Sequence, residues 1–178
     1  MLPPAMALAL TLGTLLSIAG LLVTSVQGVS VASGLEVTSP LAKALVTRHV
    51  AMAIPTVMFS LFSQSMVIFF FIGTGKLVKE EIAGLPEAER RKVLAALSRF
   101  KRETSPPATF ALLSAITVFV LGGAVHTRAL PSWVHLVSAA AAFLMHLWAL
   151  RAEWRAFGEN ARLMADPRAY AKSIESSS

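Results

Sequence analysis

Four stretches of this chain carry no Asp, Glu, Lys or Arg, and each is long enough to cross a bilayer. They cover residues 1–35, 49–75, 105–127 and 129–150. A spanning helix needs about 20 mostly apolar residues. In lipid every backbone N–H and C=O must be satisfied within its own segment, so such runs fold as helices. The pattern predicts spans over about residues 4–26, 50–72, 108–126 and 132–150. The expected fold is all-α, an integral membrane four-helix bundle. The first span is read as a helix and not as a cleaved signal, because no Lys or Arg precedes it and its apolar stretch is too long for a signal core. Ala5, Ala9, Gly13 and Ser17 recur every four residues there. They form a smooth face of the kind that lets helices approach closely in lipid.

The polar segments supply starts and stops. Ser39 and Pro40 read as a capping hydroxyl followed by a proline at the first helical position, and Pro55 is expected to kink the second span. Gly84 can end that span, and Pro86 with Glu87 and Glu89 can start another helix. Val93, Leu94, Leu97 and Phe100 then share one face among basic residues. This predicts an amphipathic cytoplasmic helix over about residues 86–103, lying on the inner membrane surface and ended by Pro106 and Pro107. The fourth span should run on to about residue 165, where Asp166 and Pro167 break it. Residues 1–165 then make one domain, and residues 166–178 are expected as a flexible tail.

Charge sets the orientation. The connection between spans two and three holds Lys76, Lys79, Arg90, Arg91, Lys92, Arg99, Lys101 and Arg102, and the C-terminal segment holds Arg151, Arg155, Arg162, Arg168 and Lys172. The other two connections hold only Lys43, Arg48 and Arg128. The positive-inside rule places both termini in the cytoplasm, with a bacterial inner membrane as the expected location. Trp133, Trp148 and Trp154 fall near the ends of span four, as interfacial aromatics do. Composition agrees: of 178 residues 55% are hydrophobic and 15% charged, with a formal charge of +6. A soluble domain carries roughly 25% charged residues. The basic surface fits anionic lipid or a protein partner; without interleaved aromatic platforms it does not read as a nucleic-acid site. The expected partners are the bilayer and other membrane or peripheral subunits.

Candidate chemistry is sparse, and no catalytic motif stands out. With no Cys, thiolate metal sites, iron–sulfur clusters and cysteine nucleophiles are excluded. The GTGK at positions 73–76 lacks the spacing of a phosphate-binding loop. All ten acidic residues fall outside the four expected spans, which counts against a proton-driven transporter. Phe69, Phe70 and Phe71 read as lipid-facing bulk, and Met52, Met58, Met66 and Met145 as apolar filling.

Histidine remains. His49, His126 and His135 should converge at the outer ends of spans two, three and four. His146 lies 11 residues beyond His135, on the same side of its helix and about 16 Å deeper. Gln64 and Ser114, with Thr11 or Thr14, are expected at a similar depth. Neutral imidazole is a good axial ligand for haem iron, and facing helices of a bundle can supply it. The candidate cofactor-binding residues are His135, His146, His49, His126 and Gln64. His135 and His146 are the leading iron ligands, with a b-type haem or a quinone as the cofactor. Helix count and histidine depth are similar in outline to the four-helix haem b anchor subunits of membrane oxidoreductases. That similarity implies an electron-transfer or anchor subunit of a larger complex. The alternative is an accessory scaffold without a cofactor.

Overall fold

A computed structural model describes residues 4–32 and 39–175. The described residues form α1 (Pro4–Ala32), α2 (Pro40–Glu81), a 3-10 turn (Ile82–Gly84), α3 (Glu87–His126), α4 (Ser132–Ala165) and α5 (Pro167–Glu175). The four long helices are each long and apolar enough to cross a membrane. They alternate in direction around a square. α1 packs on α2 and α4, and α3 packs on the same two, so α2 and α4 run parallel across one diagonal.

The outward surface is apolar. Leu8, Phe62, Phe69, Leu144 and Trp133 are each exposed by 60% or more. An apolar exterior of this extent would be costly in water and is ordinary in lipid. The buried stripe is narrow and built of small residues. α3 contributes Ala108, Ala111 and Ala115, and α4 contributes Ala139, Ala142, Ala149 and Ala156. On α1 the close-packed face runs through Gly13, Ser17, Gly20 and Thr24, while Ala5 and Ala9 stay exposed. A Cβ built on Gly13 would stand 2.7 Å from the Ser63 hydroxyl, and one on Gly20 would stand 2.8 Å from the Thr56 methyl. At Gly13 the Ser63 hydroxyl would have to turn away, and at Gly20 the β-branched Thr56 would have to shift, for any larger residue to fit.

The helix ends follow local chemistry. The Ser39 hydroxyl accepts the Ala42 N–H at 3.1 Å, and Pro40 fills the first helical position. Residues 33–38, most of the first connection, lie outside the described residues. Arg128 closes the α3–α4 turn with a left-handed backbone, φ 62°.

Two segments differ from the sequence expectation. Residues 86–103 are not a separate helix: α3 runs unbroken from Glu87 to His126 through Pro106 and Pro107. Its buried line continues across the prolines through Phe100, Thr104, Pro107, Ala108 and Ala111, so packing sustains the helix where local propensity opposes it. The apolar side of the segment faces protein. Val93, Ala96 and Phe100 pack with Val78, Ile82, Leu163 and Ala171 in a small core at the basic end of the bundle. Residues 167–175, expected as part of a tail, form α5. Its start is capped by Asp166, whose Oδ1 accepts the N–H groups of Arg168 and Ala169 at 3.0 and 2.9 Å. Ala171 is buried under it, Arg168 reaches Glu89 at 3.6 Å, and partial burial raises the pKa of the Tyr170 phenol. Residues 176–178 lie outside the described residues.

Candidate functional site

Along α4 the buried positions alternate by three and four: Ala139, Ala142, His146, Ala149, Glu153, Ala156, Asn160, Leu163. This is the heptad spacing of a bundle seam. It places His146, Glu153 and Asn160 seven residues apart on one line facing the interior. All three are sealed, with 0%, 0% and 2% exposure. Successive members are separated by about 10 Å along the axis.

Glu153 lies outside the four uncharged runs yet inside the bundle. Ending the span at Leu150, because Arg151 follows, put this carboxyl outside the bundle. The seven-residue spacing from His146 was the signal that the buried stripe continues. Thr14 on α1 donates to Glu153 Oε2 at 2.7 Å and accepts from Gln64 Nε2 at 3.2 Å. Thr14 has one hydroxyl hydrogen and gives it to the carboxyl, so the chain has a fixed sense, from Gln64 through Thr14 to Glu153. All three side chains are fully buried.

His146 bonds to neither Gln64 nor Ser114, the polar groups expected at its depth. Its Nδ1 lies 2.8 Å from the carbonyl of Ala142, one turn back. A carbonyl only accepts, so Nδ1 carries the hydrogen and the Nε2 of the neutral ring presents a lone pair. That Nε2 is buried with no partner. Ser114 turns to its own helix, donating to Ala111 at 2.8 Å, and Thr11 donates to Ala7 at 2.9 Å. Of the residues expected in this inner layer, Gln64, Thr11, Thr14 and His146 are buried, and Gln64 and Thr14 are bonded to each other.

At the other end of the interior, His49 on α2 and His135 on α4 meet across the diagonal, with ring centroids 6.1 Å apart and planes at 80°. Each ring sits against a glycine of a neighbouring helix. A Cβ on Gly28 would lie 3.4 Å from His49 Cε1, and one on Gly122 would lie 3.0 Å from His135 Cε1. α2 and α4 therefore present imidazoles where α1 and α3 present bare backbone. The Nδ1 atoms of both rings are buried and unpartnered. His126, the last residue of α3, is exposed and does not join the pair.

Because His49 and His135 are level on parallel helices, the 11-residue steps to Ser60 and to His146 bring those two to one height as well. The Ser60 hydroxyl is also buried without a partner, as are Ser63 Oγ, Gln64 Oε1, Glu153 Oε1 and Asn160 Oδ1. The result is a polar axis inside an apolar bundle. Buried polar groups are ordinarily hydrogen-bonded, so unpartnered atoms gathered on one axis point to function. Among the described residues no cluster of three or more His, Cys, Asp or Glu could hold a metal ion.

The aromatic cluster lies to the basic side of Glu153. Phe70 is buried, Phe71 stacks on Phe157 at 5.3 Å with planes 6° apart, and Leu10 and Val67 complete the cluster. Phe69 alone of the three consecutive phenylalanines points outward, 63% exposed.

No protein-family model matches the chain, and neither curated proteins nor solved structures yield a match. The functional reading rests on this geometry.

Proposed function

We propose that the chain is an electron-transfer subunit of a larger membrane complex, binding a b-type haem between His49 and His135. The observation that carries this reading is the pairing of those rings across the α2–α4 diagonal. The rings are in edge-to-face contact, with centroids 6.1 Å apart, which keeps two imidazoles, each a good axial ligand for haem iron, within reach of one metal. Gly28 and Gly122 support the reading too, since each leaves room for one of the two rings against its helix.

In this role His49 and His135 would hold the iron, replacing the His135 and His146 pair favoured by the sequence. When bound, the haem would supply one-electron chemistry. The chain's own contribution is to fix both rings on rigid helices and to surround them with apolar side chains. A membrane-soluble quinone and a redox enzyme on another polypeptide are the partners this role requires. The basic end faces the cytoplasm of a bacterial inner membrane in this reading, with the histidine pair toward the opposite surface.

The test is an absorption spectrum of protein purified in mild detergent from haem-replete cells, oxidised and then reduced with dithionite. A Soret band that shifts on reduction is expected. It should be lost in His49→Ala or His135→Ala and retained in His126→Ala. A folded but colourless protein overturns the haem reading and leaves a scaffold without cofactor.

A further inference from the structure

We propose that Glu153 is a proton-binding site, loaded from the His49/His135 end of the bundle and closed toward the basic end by Leu10, Phe70 and Phe157. This goes beyond the haem reading and does not depend on it.

The first support is the company Glu153 keeps. Thr14 of α1 and Gln64 of α2 face it with neutral groups, and both are fully buried. On its own helix the nearest titratable group of the buried line is His146, two turns away. The Arg99–Glu159 pair, at 2.7 Å, fixes the register of α3 against α4. By that register α3 brings Thr104, Pro107 and Ala108 to this height, and Thr104 is bonded to its own Phe100 carbonyl. No Lys or Arg is paired with Glu153 among the described residues. A sealed carboxyl without a counter-charge is costly to keep ionised, and a proton neutralises it at least cost.

The second support is independent of the carboxyl. Gln64 Oε1, His146 Nε2 and Glu153 Oε1 are buried without partners, as are the hydroxyls of Ser60 and Ser63. They extend along the axis, not around a point. Such an arrangement suits hydrogen-bond donors passing in single file and does not suit a coordinated metal ion. Water is the carrier this chemistry implies, and it needs two to four polar partners at each stop.

Direction follows from what lies on either side. Toward the histidines three buried hydroxyls, of Ser17, Ser60 and Ser63, are interleaved with the buried apolar residues Leu21, Val57, Val118, Ala139 and Ala142, and the pair at that end is only half-buried. Toward the basic end, one turn or more beyond Thr14, Gln64 and Glu153, stand Leu10, Phe70 and Phe157. Below them lie Asn160, whose Oδ1 is buried without a partner, and the apolar core around Phe100 and Leu163. Loading transfers a proton from a hydronium ion to Glu153 Oε1: one O–H bond of the hydronium breaks and one forms on the carboxyl. Thr14 stays bonded to Oε2 throughout, and release reverses the step through the same end.

Infrared spectroscopy of the wild-type protein in lipid vesicles tests the site. A carboxyl C=O band is expected that gains and loses intensity as pH is varied, shifts in heavy water, and is absent in Glu153→Gln. A band that is invariant with pH, or that fails to exchange with heavy water, overturns the proposal. Should Glu153→Gln not fold, dicyclohexylcarbodiimide serves on the wild type, because it condenses with carboxylic acids in apolar surroundings. The adduct should map to Glu153 by peptide mass and abolish the titrating band; an adduct elsewhere that abolishes it overturns the assignment. Wild-type vesicles under a potassium diffusion potential should take up protons no faster than protein-free vesicles; faster uptake overturns the closed end. These readouts need no haem, so a colourless protein with a titrating Glu153 separates the two proposals.

Discussion

Thr14 donates a 2.7 Å hydrogen bond to Glu153 across the interface of α1 and α4, joining residues 139 positions apart in the chain. The same oxygen takes the Gln64 amide from α2. One hydroxyl therefore ties three helices at one height. Replacing it with the isosteric Thr14→Val leaves a carboxyl oxygen and an amide unpaired in the interior. The expected cost is about 1–3 kcal/mol for each orphaned group, reduced where the cluster can relax. The check is a thermal melt in detergent: Thr14→Val should melt lower than wild type, and Thr14→Ser should stay close to it.

Four helices long and apolar enough to cross a membrane could be read from the absence of charge over long runs, because lipid permits few alternatives to helix. Gln64 and His146 could be placed in the interior for the same reason, polar groups being costly against oil. Glu153 could not be placed by that criterion, which stops at the first charge. A window ended by Arg151 hides a carboxyl two residues on, while the seven-residue step from His146 would have exposed it. Helix rotation was the other blind point. The register that brings His49 to His135 and leaves His126 outside seats the rings against Gly28 and Gly122, a fit that appears only once neighbouring helices are in place. The amphipathic segment around Phe100 was legible as a face, but not what covers it, since α5 and the end of α4 come from 60 or more residues further on.

Gly20 and Gly73 should respond oppositely to alanine. A Cβ on Gly20 would stand 2.8 Å from the Thr56 methyl, so α1 and α2 must move apart. Gly20→Ala is expected to destabilise by about 1–3 kcal/mol. A Cβ on Gly73 meets nothing within 4 Å. Gly73→Ala should be neutral or stabilise the helix by up to about 1 kcal/mol. Unfolding midpoints in mixed micelles would compare the pair.

α5 should be held by apolar packing more than by its ion pair. Arg168 and Glu89 are 3.6 Å apart and partly exposed, so Arg168→Ala should cost about 0–1 kcal/mol. Ala171 is 1% exposed against the core of Val78, Ile82 and Phe100. Ala171→Glu should undock the helix. Limited proteolysis is the measurement: cleavage near Asp166 should accelerate in Ala171→Glu and stay close to the wild-type rate in Arg168→Ala.

The proposed topology predicts which surface each turn faces. The chain has no cysteine, so single replacements report cleanly. Ala129→Cys, in the exposed turn between α3 and α4, should react with a membrane-impermeant maleimide added outside intact cells. Ser98→Cys, exposed on the basic part of α3, should react only after the cells are opened. The reverse pattern would invert the orientation.

The four histidines should differ sharply in reactivity, in an order fixed by their surroundings. His126 is exposed, His49 and His135 are half-buried against glycines, and His146 is sealed with its Nδ1 hydrogen held by Ala142. Diethyl pyrocarbonate attacks an accessible, neutral ring nitrogen. Modification followed by peptide mass should find His126 first, His49 and His135 later, and His146 last. Gly122→Ala sharpens the test. Its Cβ would stand 3.0 Å from His135 Cε1, tighter than most side-chain contacts, so the ring must give by a few tenths of an ångström away from α3. His135 should then react faster, with His146 unchanged. Gly123→Ala, whose Cβ meets nothing within 4 Å, should leave all four rates as they were. Equal rates for His135 in the two variants would mean that the glycine notch does not position the ring.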